Sequence, residues 1–215
     1  MTPKICIVFN GGASGDFFTM LINEQINNSM ISIDKKGMVT NCPGDFKVIC
    51  KKYYECHDLQ VFKNINWSSV VNTHHCNKDV IEMFPSCRFY FIDDSEYHHV
   101  TIEALIKKRL ELKYDTLVEY FISENDIFKK HNKLKLIKLN EEDVKRLMIK
   151  DWKRNIKGWQ RLGIPKVNIQ DIVNKEKCRH TIENIINCKV DYNKFSSTYN
   201  QYVNKNIDMI ERING

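Results

Sequence analysis

Residues 4–27, KICIVFNGGASGDFFTMLINEQIN, constrain the fold more than any other stretch, because they read as a buried strand, a glycine-rich turn and an amphipathic helix. Ile5, Ile7, Val8 and Phe9 form a short apolar run suited to a strand covered on both faces. Gly11, Gly12, Ala13, Ser14 and Gly15 carry almost no side chain, so backbone N–H groups of the turn can converge, with the N-terminus of the following helix, on an anion. The same residues read equally well as a tight strand-to-helix connection. Laid over the phosphate-loop pattern G-x-x-x-x-G-K-[ST], Asn10 takes the first glycine, Gly15 the second, Asp16 the lysine and Phe17 the Ser/Thr position. Only Gly15 matches, which argues against an ordinary nucleotide kinase or ATPase. Asp16 suits the first turn of a helix, where the macrodipole favours negative charge by about 0.3–1 kcal/mol.

The rest of the chain is compatible with a strand-and-helix domain. Its 215 residues fit one domain, and 42% hydrophobic with 28% charged residues are globular values. The net charge of +6 is mild, with 33 basic against 27 acidic residues and no long basic block, so a nucleic-acid partner is not expected. No run approaches the ~18 apolar residues of a membrane span, and the apolar stretch after Lys4 ends at Asn10 without a cleavage site, so a cytoplasmic location is expected. The 8 cysteines form no C-x-x-C pair and are expected to be reduced. Richness in Lys, Asn and Ile fits an AT-rich gene of viral or phage type.

Further along, turn signals at Lys36-Gly37 and Pro43-Gly44 predict a hairpin or loop over 30–39 and a second turn, with helix-compatible spacing over 46–54. Strands are predicted over 67–74 and 87–92, with a helix over 78–84 closed by Pro85. Helices are predicted from Ser95 to about Leu112, over 115–128, over 141–162 with Val144, Leu147, Met148, Ile156 and Trp159 buried, over 178–187 and over 195–213. Residues 134–139 read as a short strand or the start of a helix, and 167–173 as a last short strand. Strands separated by helices imply a parallel sheet with crossovers. The expected fold is therefore an α/β three-layer, P-loop-like domain spanning 1–215, with the first strand central and a mostly helical C-terminal third.

Three segments in this order resemble the P-loop sulfotransferase family. Ser14-Gly15 stands where that family's loop receives the 5′-phosphosulfate of 3′-phosphoadenosine 5′-phosphosulfate, and VVNTHH ends in Thr73-His74, matching a strand-end Thr-His pair whose histidine is the usual base. FPSCRFYFIDDSE, residues 84–96, follows the layout of the family's next strand, and VNIQDIV, residues 167–173, looks like its C-terminal Glu-Asp-Leu strand. The resemblance implies transfer of a sulfuryl group to a hydroxyl or amine, His74 as base, and Gly11, Gly12, Ala13, Ser14, Gly15, Asp16, Phe17 and Ser95 around the donor, Ser95 at its 3′-phosphate. No metal is implied.

Departures from the family fall at charged positions. Ala13 replaces the usual lysine, Asp16 a threonine, and Asp93-Asp94 an arginine. Each missing cation removes a charge-assisted bond of about 1.5–3 kcal/mol. Arg88, Lys107, Lys108, Arg109, Lys153, Arg154, Lys157 and Arg161 are candidate substitutes, the last four also reading as a solvated helix face. A non-catalytic binding protein with a degenerate phosphate loop is the alternative, favoured by Asp16, Asp93 and Asp94, and a nucleotide or nucleic-acid kinase comes third. For His74, a plain strand-end histidine bonded to a backbone carbonyl is the simpler reading. His74, His75, Cys76, Cys87, His98 and His99 suit zinc by type, but their spacing lacks a knuckle, and His98 and His99 diverge by about 100° on a helix.

Overall fold

The computed structural model describes residues 3–28, 31–35, 37, 39, 69–74, 76–110, 116–119 and 140–215. Strand β1 (Ile5–Val8) leads into α1 (Gly15–Asn27). Then follow β2 (Val70–Thr73), α2 (Lys78–Met83), β3 (Arg88–Asp93) and α3 (His98–Leu110). The C-terminal third comprises α4 (Glu141–Arg161), β4 (Lys166–Asn168), α5 (Ile169–Val173), α6 (Lys175–Ile186), α7 (Tyr192–Lys205) and α8 (Ile207–Asn214).

The fold is α/β. The four strands form one parallel sheet in the order β2-β1-β3-β4, with Ile5 opposite Val70 on one side and Arg88 on the other, and β1 in its interior as its apolar run requires. Side chains alternate across the sheet and recruit a helical layer to each face. Ile5 and Ile7 join Val70 and Ile92 in a core completed by Phe17, Phe18, Leu21 and Ile22 of α1 and by residues of α5 to α8. Cys6, Val8, Val71, Phe89 and Phe91 face the other way, against Val80 of α2 and Ile156 and Trp159 of α4. A third cluster joins Ile102 and Leu105 of α3 to Val144, Met148 and Trp152 of α4. Phe17, Phe18, Leu21 and Ile22 are almost wholly buried, and each contributes about 1.5–3 kcal/mol in area terms, so α1 is clamped to the sheet by its apolar face.

Several element boundaries differ from the expectation for local reasons. Helix α3 begins at His98 and not Ser95, because the Ser95 N–H and hydroxyl both donate to the Asp93 carboxylate and hold residues 94–97 in a turn. The segment expected as a strand over 167–173 keeps only Lys166–Asn168 extended and then coils into α5. Helix α6 starts early, at Lys175, because the Asn174 side chain accepts from the Lys177 N–H. The helix expected over 195–213 breaks at Asn206, whose side-chain amide donates to Tyr202 O and Gly37 O. In α4 the buried set includes Trp152, while Leu147 is only half-buried. The hairpin expected near Lys36-Gly37 is present as an antiparallel bridge between Ile33 and Val39, with Gly37 at φ 74°. The predicted elements over 46–54 and 134–139 lie outside the described residues, as do most of 115–128. Among the described residues no helix is long and apolar enough to cross a membrane.

Candidate functional site at the carboxyl edge of the sheet

The chain leaves β1 for α1 on one face of the sheet, whereas β3, its neighbour, is followed by α3 and then α4, which packs on the other face. Loops that part in this way open a crevice beyond the carboxyl ends of the strands, where ligands of open α/β sheets bind. The loop 9–14, the strand-end His74 and the turn 94–97 all lie at this edge.

The loop bends sharply. Gly12 has φ 81° and Ser14 φ 59°, and the Ala13 N–H donates back to Asn10 O at 3.2 Å. Ser14 sits at the N-cap of α1 but its side chain does not cap the helix. Its Oγ instead accepts from the Tyr202 hydroxyl at 2.7 Å, so the N–H groups of the first turn of α1 receive no bond from it. The glycines have a reason that involves no ligand. A Cβ on Gly12 would lie well under 3.0 Å from the carbonyl oxygen of Thr101, one on Gly15 as close to the Phe9 ring, and one on Gly11 2.9 Å from Leu105 Cδ2. Ala13 is fully buried, and Phe17 is stacked on Tyr202 with centroids 3.7 Å apart, within the core and away from the crevice.

Each remaining residue expected at the site has a defined neighbour. Asp16 Oδ1 accepts from Asn72 Nδ2 at 2.7 Å, tying the first turn of α1 to the end of β2. His74 Nδ1 lies 2.9 Å from Phe9 O and its ring meets the Phe9 ring edge-on at 4.4 Å. The imidazole is therefore brought to the first residue of the loop, with Nδ1–H donating and Nε2 left as the lone-pair nitrogen. Ser95 is exposed and turned to Asp93, whose carboxylate also pairs with Lys166 at 3.7 Å.

A buried polar cluster, unforeseen from the sequence, joins the elements at this edge. Asp94, with no exposed surface, accepts from Asn10 Nδ2 at 3.2 Å and from the Thr101 hydroxyl at 3.0 Å. Asn10 Oδ1 in turn accepts from Asn155 Nδ2 of α4 at 3.2 Å. His98 Nδ1 lies 3.4 Å from Asp94 Oδ2, outside hydrogen-bond geometry, and both ring nitrogens are buried with no hydrogen-bond partner. Its ring packs edge-on to Trp152 at 5.9 Å. The signal for this cluster was the spacing of Asp94, His98 and Thr101, which puts all three on one side of a turn entering a helix.

The candidate cations lie elsewhere. Arg88 starts β3 at the opposite end of the sheet, Lys107 pairs with Asp208 at 3.5 Å, and Arg154 with Asp151 at 3.2 Å. Helix α4 turns Asn155 and Trp152 to the loop, while Lys153, Lys157 and Arg161 are exposed. The side chains of residues 108 and 109 lie outside the described residues, as does His75. Among the described residues no three His, Cys, Asp or Glu side chains gather into a metal site, and burial pushes the Cys87 thiol up to about 12. Comparison with known proteins gives no match to the chain from any family model, curated sequence or solved structure.

Proposed function

We propose that the protein is a sulfotransferase-like transferase with a P-loop-like core, in which the β1–α1 loop takes the anionic end of 3′-phosphoadenosine 5′-phosphosulfate and His74 is the base. The observation that carries this reading is the contact of His74 with the loop: its Nδ1 is 2.9 Å from the Phe9 carbonyl, which orients the ring and selects Nε2 as the proton acceptor. When bound, the nucleotide supplies the sulfuryl group and departs as adenosine 3′,5′-bisphosphate. Backbone N–H groups of Gly12, Ser14 and Gly15 suit the phosphosulfate end, since the start of α1 is not capped by Ser14. Nε2 of His74 takes the proton of the attacking hydroxyl or amine. The 3′-phosphate fits less well, because both donors of Ser95 are engaged by Asp93.

That mismatch, with the Asp16 carboxylate held by Asn72 at the first turn of α1, supports a second reading as a non-catalytic binding protein. Calorimetry with adenosine 3′,5′-bisphosphate, with ATP as the comparison ligand, separates the two. Micromolar binding of the bisphosphate, about −8 kcal/mol, with little for ATP supports the transferase. Binding of neither supports the second reading. In an active transferase, His74→Ala keeps the fold and abolishes transfer; unchanged activity removes His74 from the reaction.

A further inference from the structure

We propose that the outward face of α4 is a docking strip for the phosphate backbone of a nucleic acid, a role separate from the crevice chemistry and not dependent on it. In the sequence EEDVKRLMIKDWKRNIKGWQR, acids and bases interleave, so no basic block is visible. Winding the segment into a helix sorts them. At about 100° per residue, Arg146, Lys150, Lys153, Arg154, Lys157 and Arg161 fall within an arc of roughly 100°. The buried Val144, Met148, Trp152, Ile156 and Trp159 occupy the opposite side. All six basic side chains are exposed.

Arg146 and Arg154 are neutralised by Asp143 and Asp151. Lys150, Lys153, Lys157 and Arg161 have no ion-pair partner among the described residues, and no acid follows Asp151 in the helix. These four positions cover about 16 Å of helix axis, at 1.5 Å per residue, with neighbours one turn apart. Four like charges in a row without counterions repel one another by a few tenths of a kcal/mol per neighbouring pair, and an adjacent polyanion removes that cost.

The chemistry of the strip selects among polyanionic partners. Membrane-surface helices bury an apolar face in the lipid, whereas the apolar face of α4 is already spent on the core. The exposed large hydrophobic residues among those described, Ile26, Tyr192 and Ile207, all lie on other elements. An acidic protein partner would need an apolar or aromatic anchor at the centre of the patch, and the strip has none. Regularly spaced charge without anchors is what sequence-independent phosphate contact uses.

The test is fluorescence anisotropy of the full chain with a labelled 20-base-pair duplex from 50 to 200 mM KCl. Four contacts predict a slope of log K against log salt of about −3.6. The variant K150E/K157E, altered only at exposed positions, should keep its circular dichroism spectrum and bind at least 10-fold more weakly at 50 mM KCl, with about half that slope. Absence of binding below 1 mM duplex overturns the proposal, as does binding that K150E/K157E leaves unchanged. Sedimentation with phosphatidylserine vesicles completes it: vesicle binding without duplex binding assigns the strip to a membrane and equally overturns the proposal.

Discussion

Replacing Gly12 by alanine tests whether the β1–α1 loop is an open cradle or a packed joint. Two costs are legible at this position. The backbone has φ 81°, in the left-handed region, which costs an L-residue about 1–2 kcal/mol. The new Cβ would also press on the carbonyl oxygen of Thr101, backbone of α3 that no rotamer change can move aside, so α3 must shift at the overpacking cost of about 1–3 kcal/mol. The sum is about 2–5 kcal/mol. For a chain of this length each kcal/mol lowers Tm by about 2–4 °C, so a fall of about 4–20 °C is expected in thermal unfolding followed by circular dichroism. Gly163→Ala is the internal control, because Gly163 has φ 70° with nothing within 4 Å of its Cβ position and carries the dihedral cost alone. The difference between the two variants therefore measures the pressure of α3 on the loop. Equal losses would refute the reasoning and return the Gly12 face to solvent and ligand.

Gly158, inside α4 with nothing within 4 Å of its Cβ position, should become more stable as alanine by about 0.5–1 kcal/mol in urea unfolding; a loss would show that α4 is less regular there. Asn155→Leu leaves the buried Asn10 carbonyl without its donor and should cost about 1–3 kcal/mol in the same assay, whereas a neutral effect would mean that water replaces the amide. Burial pushes the Glu24 carboxyl above its ordinary 4.5, against bonds from Thr198 and Gln25 and the charge of Lys194. A raised folded-state value stabilises fully below the unfolded one and is lost as pH rises through the folded one, so stability relative to Glu24→Gln should fall from about pH 4.5 upward; parallel stability curves would refute this.

Legibility of the fold tracked how far each segment's conformation is decided within itself. The run Ile5–Phe9 has too many apolar residues for one face, so a central strand was its only stable destination, and β1 sits there. The 3.6-residue spacing of Val144, Met148, Ile156 and Trp159 likewise placed α4 to within a residue of both ends. Residues 167–173 misled because Val167, Ile169, Ile172 and Val173 serve a short strand and a helical turn equally. Contacts with α6 and α8 decide between them, and these are remote in sequence. The break at Asn206 depends on Gly37, so no window around residue 206 contains it.

The crevice shows why chemistry is harder to read than topology. Gly11, Gly12 and Gly15 carry the sequence signature of anion binding, yet each stands where α3 or Phe9 approaches too closely for a Cβ, and packing imposes the same residue type as a ligand would. Asp93 and Asp94 read alike as repulsive charges, but the structure gives them opposite roles. Asp93 is turned outward to Ser95 and Lys166, whereas Asp94 is turned inward, where Asn10 and Thr101 use it to bind the loop to α3. One residue of register at the end of β3 separates a solvated ion pair from a buried joint, because successive side chains of an extended segment point to opposite sides. A carboxylate at a strand end thus weighs against an anionic ligand only when its side faces the ligand. For Asp94 that side is filled by Asn10 and Thr101, and Asp16, bound to Asn72, is the carboxylate whose charge most affects what the loop can hold.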